Sequence, residues 1–410
     1  MKLFLQLMVA CFFFSGAQAQ RVCITPENNL NARRSYVAPE NATTNAHSRD
    51  TTSNEIITIP VVIHLLFNSA AQNISDEQIL SQITALNNDY RRLNADAENT
   101  PDVFKSLSAD TRIMFCLAQV DPTGRASRGI IRKHTDLEYF LGDDGMKFTG
   151  SGGDDAWDPK KYLNIWVCNM FGRALGYATA PGAVPEKDGV VINYDVFGTT
   201  GVLRQPFDKG RTATHEVGHW LGLKHLWGDE SCGTDDVDDT PRQLSYNFNC
   251  PAFPHVTSCS VNGNGDMFMN YMDLTNDACM NMFTYGQATK MRSLFATNGS
   301  KNSFLNSYAC DSSLATGAPL PDDTLPVVRP RAEIKVYPNP VRDIVTLSPV
   351  NNYELTGKVC TVFNMAGMKM FQQTLSSEKP TVDLSRLAPG VYVIMIGQGG
   401  DKRMLKVIKI

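Results

Sequence analysis

The sequence predicts an α+β domain followed by a small all-β domain. Strand-like runs and amphipathic helical patterns occupy residues 55–311, and short alternating strands separated by Gly, Pro and Asn occupy residues 334–410. A chain of 410 residues suffices for two or three domains, and 42% hydrophobic with 20% charged residues is an ordinary globular composition. The net charge of -4 gives no general attraction to nucleic acid, so we expect no such partner.

The first 19 residues have the pattern of a secretory signal. Lys2 supplies the positive charge, an apolar run follows, and Ala17-Gln18-Ala19 forms a small-x-small cleavage site. The run is too short for a membrane anchor, and the sequence predicts no transmembrane segment elsewhere. We therefore expect an exported protein whose cysteines are disulfide candidates.

Residues 20–54 are polar and have almost no periodic apolar pattern, which indicates a prosegment or a flexible arm. Cys23 is its one chemically reactive residue. Arg33, Arg34 and Arg49 are candidate cleavage points for removal of the arm.

The folded domain begins with a β-rich run, Ile56 to Phe67. Ser75 then caps a helix, with Gln78 in the capping-box position. The apolar face of this helix has helical spacing and consists of Ile79, Ile83, Leu86 and Tyr90. Further strands are predicted at residues 112–120, 162–169 and 189–194, the last of them at an edge of the sheet.

Two histidines and two cysteines lie in or near these strands. We interpret His64 and His134 as structural, because both lie away from the motif described below. Cys116 and Cys168 lie on strands that could be neighbours, which allows either a disulfide between them or two buried thiols.

The strongest motif is residues 215–225, which read H-E-x-x-H-x-x-G-x-x-H. On a helix, His215 and His219 share one face and can bind a single ion, while Glu216 lies beside them, placed to activate a water molecule. Gly222 allows the left-handed turn that brings His225 back as a third ligand. Three neutral imidazoles and one water make a tetrahedral Zn²⁺ site with an open position. A surface helix with spaced histidines is the alternative, and it leaves Gly222 and His225 unexplained.

A second motif, residues 270–273 (NYMD), follows at a distance suited to a methionine turn beneath the metal. Together the motifs resemble the metzincin clan and, within it, the pappalysin family of ulilysin-like enzymes. The resemblance covers about residues 55–310. Its carriers are HEVGHWLGLKH, the acidic loop GTDDVDDTP, the surrounding cysteines, NYMD and MFTYGQATKMRSLF.

The resemblance implies a metzincin catalytic domain. Such a domain has a twisted mixed sheet, a backing helix and an active-site helix above a loop-rich lower subdomain. It further implies a secreted zinc endopeptidase in which Met272 forms the hydrophobic base below the ion. Pappalysin zymogens are similar in using a propeptide cysteine as a latency switch, which here is Cys23; an ordinary disulfide is the alternative role. Asp277 matches an aspartate that lines the S1′ pocket and selects a basic side chain, the alternative being a solvated turn residue or a cap.

The segment after His225 is loop-rich, and such extracellular segments are often held by disulfides. Four cysteines supply two bridges, with three possible pairings. The family resemblance favours the pairs Cys232–Cys259 and Cys250–Cys279. A helix over residues 284–297 closes the domain.

Residues 235–240 place four carboxylates in six positions, a repulsive arrangement that a hard cation would relieve. The pappalysin resemblance implies calcium at this loop, bound by Asp235, the Val237 carbonyl, Asp239 and Thr240. The alternative is a solvated acidic loop.

Residues 312–333 form a proline-rich and fairly stiff linker. After it, the pieces VYPNPVRDIVTLS, FNMAGMKM, LSRLAPGVYVIMI and KRMLKVIKI resemble the C-terminal sorting domain of the type IX secretion system. That resemblance implies a Gram-negative bacterium, the secretion machinery as a partner, and an all-β sandwich that is removed on arrival. Cys310 and Cys360 have no obvious partners.

Two functions compete at this point. The first is a monomeric secreted zinc endopeptidase acting on proteins or peptides, with cleavage on the amino side of Arg or Lys. The second is a weak or inactive surface-attached binding module with the same fold. Its support is Leu274, at the position two residues after the turn methionine where many metzincins have a tyrosine that helps to stabilise the oxyanion. Loss of one oxyanion donor typically costs ~10²–10³ in rate.

Overall fold

The computed structural model describes residues 21–25, 55–228, 230–260, 263–318, 334–349, 353–365, 367–377, 379–397 and 402–410. The secretory signal, the cleavage candidates Arg33, Arg34 and Arg49, and residues 319–333 of the linker lie outside these ranges. Within them, no helix combines the length and apolar character needed to cross a membrane.

The larger domain is built on one mixed sheet and four α-helices within the described residues. The strands are β1 (Ile57–Phe67), β2 (Ile113–Leu117), β3 (Ile130–His134), β4 (Leu163–Cys168), β5 (Gly176–Ala178) and β6 (Val190–Asn193). The helices are α1 (Asp76–Tyr90), α2 (Asp102–Lys105), α3 (Arg211–Trp220) and α4 (Tyr285–Ser293).

The long strand β1 lies at the centre of the sheet. Along one side it pairs in parallel first with β2 and then with β3, and along the other side with β4. Strand β6 follows β4 in parallel, and β5 closes the sheet antiparallel to β6. The sequence-based placement of residues 189–194 at an edge was therefore wrong. The short strand β5, which the sequence analysis missed, lies outside β6.

Helix α1 packs its apolar face onto the sheet, with Ile79, Leu86 and Tyr90 fully buried. Ser75 caps the helix, since its hydroxyl accepts a hydrogen bond from the Gln78 amide at 3.2 Å. The reciprocal half of the predicted capping box is replaced, because the Gln78 side chain donates to the carbonyl of Phe197 at 2.9 Å. This bond ties α1 to the segment that leads into α3.

Three disulfides join distant parts of the larger domain. Cys232–Cys259 and Cys250–Cys279 hold the loop-rich lower half, in the pairing that the family resemblance favours. The third joins Cys116 to Cys310 and thus fastens the end of the domain to β2. The disulfide between Cys116 and Cys168, one of the two sequence-based alternatives, does not form. Strand β1 separates β2 from β4, and Cys168 is a buried free thiol.

His64 and His134 both lie in the sheet, away from the histidine motif. His64 is buried, contacts Asp154 at 2.7 Å and Asn164 at 3.0 Å, and stacks on Trp166. His134 packs edge-on against Phe67. These packing contacts agree with the structural interpretation.

The C-terminal domain consists of two antiparallel sheets that share one core. Strands are β7 (Ile334–Tyr337), β8 (Ile344–Pro349), β9 (Val359–Asn364), β10 (Lys369–Thr374), β11 (Thr381–Asp383), β12 (Gly390–Ile396) and β13 (Arg403–Lys409). One sheet has the order β10-β9-β12-β13 and the other β11-β8-β7. Alternate residues such as Tyr392, Ile394 and Ile396 point into the shared core, which includes the free thiol of Cys360. The architecture is the predicted all-β sandwich.

Candidate active site

Helix α3 carries the first half of the histidine motif and is buried along its whole length. It ends after Trp220 because Gly222 adopts the left-handed conformation, with φ of 85°. The Gly222 amide donates to the carbonyl of His219 at 2.9 Å, and the Leu223 amide donates to that of Gly218 at 3.0 Å. This turn directs the chain back so that His225 faces the helix, as the motif predicts.

Two of the three imidazoles have a defined tautomer. His215 donates from Nδ1 to the carbonyl of Tyr271 at 2.7 Å, and His219 donates from Nδ1 to the carbonyl of Leu223 at 2.9 Å. Their Nε2 atoms therefore carry lone pairs. His219 Nε2 lies 3.0 Å from His215 Nε2 and 3.1 Å from His225 Nε2.

This donor set fits a metal ion. Lone pairs that converge at about hydrogen-bond distance repel one another unless a cation lies between them, and neutral imidazole is a preferred ligand of Zn²⁺. The same burial that removes the rings from water also keeps the pKa of His215 well below its usual value. Trp227 stacks on the His225 ring at a centroid distance of 4.4 Å and fixes its plane.

The methionine turn lies directly against α3. Met272 is fully buried, and a Cβ on Gly218 would lie 2.5 Å from its Sδ atom. The glycine inside the motif is thus needed for the sulfur to approach the helix. The Tyr271 side chain points away from the metal ligands, and its hydroxyl accepts a hydrogen bond from Arg211 at 2.9 Å. Leu274 is nearly buried and offers no hydroxyl.

Glu216 is the acidic group nearest the ligands on the helix. It is 1% exposed, and burial raises the pKa of its carboxyl to about 7. Oε2 accepts hydrogen bonds from Thr25 Oγ1 at 3.1 Å and from Cys23 Sγ at 3.5 Å. A carboxyl group with a pKa near neutrality is suited both to accept a proton and to return it.

The described part of the N-terminal arm, residues 21–25, lies across this site. Leu175 donates its amide to the Val22 carbonyl, and Ile24 donates its amide to the Gly176 carbonyl, so the arm runs parallel to β5. Cys23 Sγ and one nitrogen of each motif histidine all lie within 4.8 Å of one another. The four donor atoms are therefore close enough together to share one metal ion.

Arg21 fills the pocket next to Cys23. Its guanidinium pairs with the Asp277 carboxylate, donates to the Thr275 carbonyl at 3.2 Å and lies over the Phe207 ring. Both charged side chains are essentially inaccessible to solvent. Sequence reasoning missed Arg21, although residues two apart share a face of an extended chain and Arg21 stands two before Cys23.

The acidic loop is partly assembled for a cation. Thr240 Oγ1 lies 2.7 Å from Asp235 Oδ1 and 2.9 Å from the Val237 carbonyl oxygen, so its single proton is shared between these two acceptors. Asp235 Oδ2 is buried without a hydrogen-bond partner in the described structure, and burial raises the pKa of this carboxyl to about 6. Asp239 instead caps α4, accepting from the Gly286 amide at 2.8 Å and the Thr284 hydroxyl at 2.6 Å.

The mixed sheet, the histidine cluster on α3 and the methionine packed against that helix define the metzincin class of zinc metallopeptidases. Residues 152–296 match the peptidase M43 family described as pregnancy-associated plasma protein-A, and residues 335–410 match the secretion system C-terminal sorting domain. The chain belongs to the M43 family, the pappalysins, and is a secreted metalloendopeptidase. Its sorting domain is that of type IX secretion in Gram-negative bacteria.

Relatives with known names support this assignment. An extracellular metalloprotease of Arthroderma gypseum is 31% identical over 68% of this chain and 86% of its own length. Extracellular metalloprotease 1 of Coccidioides posadasii is 43% identical over 32% of this chain, and the match spans only 49% of that relative.

Among solved structures, mature mirolysin of Tannerella forsythia in complex with a cleaved peptide is 50% identical, with a TM-score of 0.62. The match covers 64% of this chain and 99% of the mirolysin chain. A promirolysin mutant matches with the same identity and TM-score, over 87% of its own length.

Proposed function

We propose that this metalloprotease cleaves peptide bonds on the amino side of Arg, and less readily of Lys. The observation that carries the proposal is the Arg21 guanidinium paired with Asp277, two residues before the cysteine that lies beside the motif histidines. This pair supports the proposal because the pocket accommodates an arginine side chain beside a buried carboxylate. A planar guanidinium can form two parallel bonds to a carboxylate, which a lysine ammonium cannot.

His215, His219 and His225 would hold the zinc, which would supply a Lewis acid for the peptide carbonyl and lower the pKa of a water molecule. Glu216 accepts a proton from the attacking water at its Oε2 atom and then delivers this proton to the leaving amine. While the arm is present, this oxygen accepts hydrogen bonds from Thr25 and Cys23, so release of the arm makes the base available. Met272 has a structural role, packing beneath the ligands against Gly218.

The arm is proposed to keep the precursor latent through Cys23. Its thiol lies where it can complete the ligand set, and thiolate is a strong zinc ligand. Removal of residues 20–54 would then expose the site, with Arg33, Arg34 and Arg49 as candidate cleavage points. The signal of residues 1–19, the catalytic domain of residues 55–311, the linker of residues 312–333 and the removable sorting domain of residues 334–410 complete the proposed organisation, with the mature enzyme acting as a monomer.

Calcium binding at the acidic loop is proposed as well. The support is Asp235 Oδ2, a buried carboxylate oxygen without a hydrogen-bond partner in the described structure, next to the Val237 carbonyl and the Thr240 hydroxyl. Calcium prefers such a mixture of carboxylate, carbonyl and hydroxyl oxygens. Asp239 would take part only through a lone pair that is not used in capping α4.

The specificity proposal is tested by digesting a proteome-derived peptide library with the mature enzyme and sequencing the products. We expect Arg, followed by Lys, to be enriched immediately after the scissile bond, unlike a trypsin-type preference immediately before it. An Asp277→Asn variant keeps the shape of the pocket without its charge and should lose most of this enrichment. A wild-type digest without enrichment of Arg or Lys after the cut would overturn the proposal.

A further inference from the structure

The N-terminus of helix α3 lacks a cap of its own. The preceding residue, Gly210, has φ of 73° and no side chain that could accept a hydrogen bond. The first amide groups of any helix have no partner within the helix and require an acceptor, most of all when they are buried. The structure therefore has to supply that acceptor from elsewhere in the chain.

Asp277 supplies it from a segment 66 residues further along the chain. Its Oδ2 atom accepts hydrogen bonds from the Arg211 amide at 3.2 Å and the Lys209 amide at 2.8 Å. Its Oδ1 atom pairs with the Arg21 guanidinium in the pocket. One fully buried carboxylate thus faces the specificity pocket with one oxygen and the start of the metal-binding helix with the other.

The side chain of Arg211 continues the connection toward the metal. Its Nη2 atom donates to both oxygens of Asp96 at 2.9 and 3.0 Å. Its Nη1 atom pairs with the buried carboxylate of Asp89 and donates to the Tyr271 hydroxyl at 2.9 Å. The carbonyl of Tyr271 in turn accepts the Nδ1–H of His215 at 2.7 Å. The backbone position of Arg211, which Asp277 holds, is therefore linked through two hydrogen bonds to the orientation of a metal ligand.

We propose that Asp277 is a positioning residue for the metal-binding helix, in addition to selecting the basic side chain of the substrate. The inference rests on the proposed function only in naming the pocket that Oδ1 faces. Loss of the Oδ2 acceptor leaves two amides without a partner and lets the first turn of α3 fray when no metal is bound. Metal binding through His215 then has to restore that turn, so part of the cost appears as weaker zinc affinity.

Two substitutions separate the two roles of this carboxylate. Asp277→Asn keeps an oxygen that can accept from the Lys209 and Arg211 amides but removes the charge that pairs with a basic side chain. Asp277→Ala removes both. As a control, Asp208→Ala removes a nearby carboxylate that instead accepts a hydrogen bond from the Gln205 side chain at 2.7 Å.

The experiment measures zinc affinity of the mature enzyme by competition with a chelator, together with the melting temperature of the zinc-free protein. Capping energies correspond to changes of about 2- to 30-fold in an equilibrium constant, and we expect zinc affinity to fall about 3- to 10-fold in the Ala variant. The Asn variant and the Asp208 control should remain within about twofold of wild type, and the zinc-free Ala variant should melt at the lowest temperature.

Equal zinc affinities in the Ala and Asn variants, whether both unchanged or both weakened, would overturn the positioning role. The peptide library is digested with the same variants, so the specificity role and the positioning role of Asp277 are tested separately. Retained Arg preference in the Asn variant would remove the specificity role of Asp277. The difference in zinc affinity between Asn and Ala would still stand.

Discussion

Replacement of Arg21 by Ala in the precursor should open the N-terminal arm. In the closed arm of the variant, Asp277 remains buried without the guanidinium that neutralises it, and removal of one partner of a buried pair typically costs about 3–5 kcal/mol. The amides of Lys209 and Arg211 still bond to Asp277 Oδ2, so the lower end applies. About 3 kcal/mol corresponds to an increase of roughly 10²-fold in the open fraction, because opening lets water reach the carboxylate.

The assay is alkylation of Cys23 in precursor that also carries Glu216→Ala, so that the arm is not removed by self-cleavage. Cys168 and Cys360 are fully buried free thiols, and mass spectrometry of the labelled peptide identifies Cys23. Labelling should accelerate about 10²-fold with Arg21→Ala and less with Arg21→Lys, which keeps a charge. Arg91→Ala, which removes a partly exposed pair with Asp110, should leave the rate unchanged. An unchanged rate in Arg21→Ala would refute the view that this pair anchors the arm.

Three further outcomes are expected. Precursor with Cys23→Ala should hydrolyse peptides before the arm is removed, whereas wild-type precursor should be nearly silent; equal rates would leave Cys23 without a latency role. Calcium should raise the melting temperature more at pH 7 than at pH 5. Burial raises the pKa of Asp235 to about 6, so the calcium-free native state keeps a proton that the unfolded chain has released near pH 4, and the calcium-free protein loses stability as the pH rises from 5 to 7. An equal shift at both pH values would argue against Asp235 as a ligand. Gly218→Ala places a Cβ 2.5 Å from Met272 Sδ and should destabilise the fold by about 1–3 kcal/mol in denaturant unfolding, whereas an unchanged midpoint would contradict the packing described.

The parts that sequence predicts well are those whose chemistry is local. The ligand spacing of residues 215–225 and the left-handed Gly222 follow from helix geometry, and the structure has both. The strands with continuous apolar character, β1 and β4, were located to within about two residues of their ends.

The parts that sequence misses depend on strand order and on distant contacts. Strand β5 has only three residues, and its place outside β6 is set by pairing rather than by composition. Cys116 forms a disulfide with Cys310, 194 residues away, because the end of the larger domain returns to β2. Arg21 lies in a polar arm where nothing local shows that its charge will be buried. Only the fold brings Asp277 opposite Arg21 and thus shows that the two charges form a buried pair.

The central claim is that the three histidines hold the metal while Glu216 moves the proton. Its most direct test is the Glu216→Ala enzyme, freed from its arm by an added protease and assayed for zinc content and for hydrolysis of a peptide with an internal arginine. Because Glu216 contributes no ligand in this account, the variant should bind one zinc per chain and keep its fold while hydrolysis falls by several orders of magnitude. Hydrolysis near the wild-type rate, with zinc bound, would contradict the account.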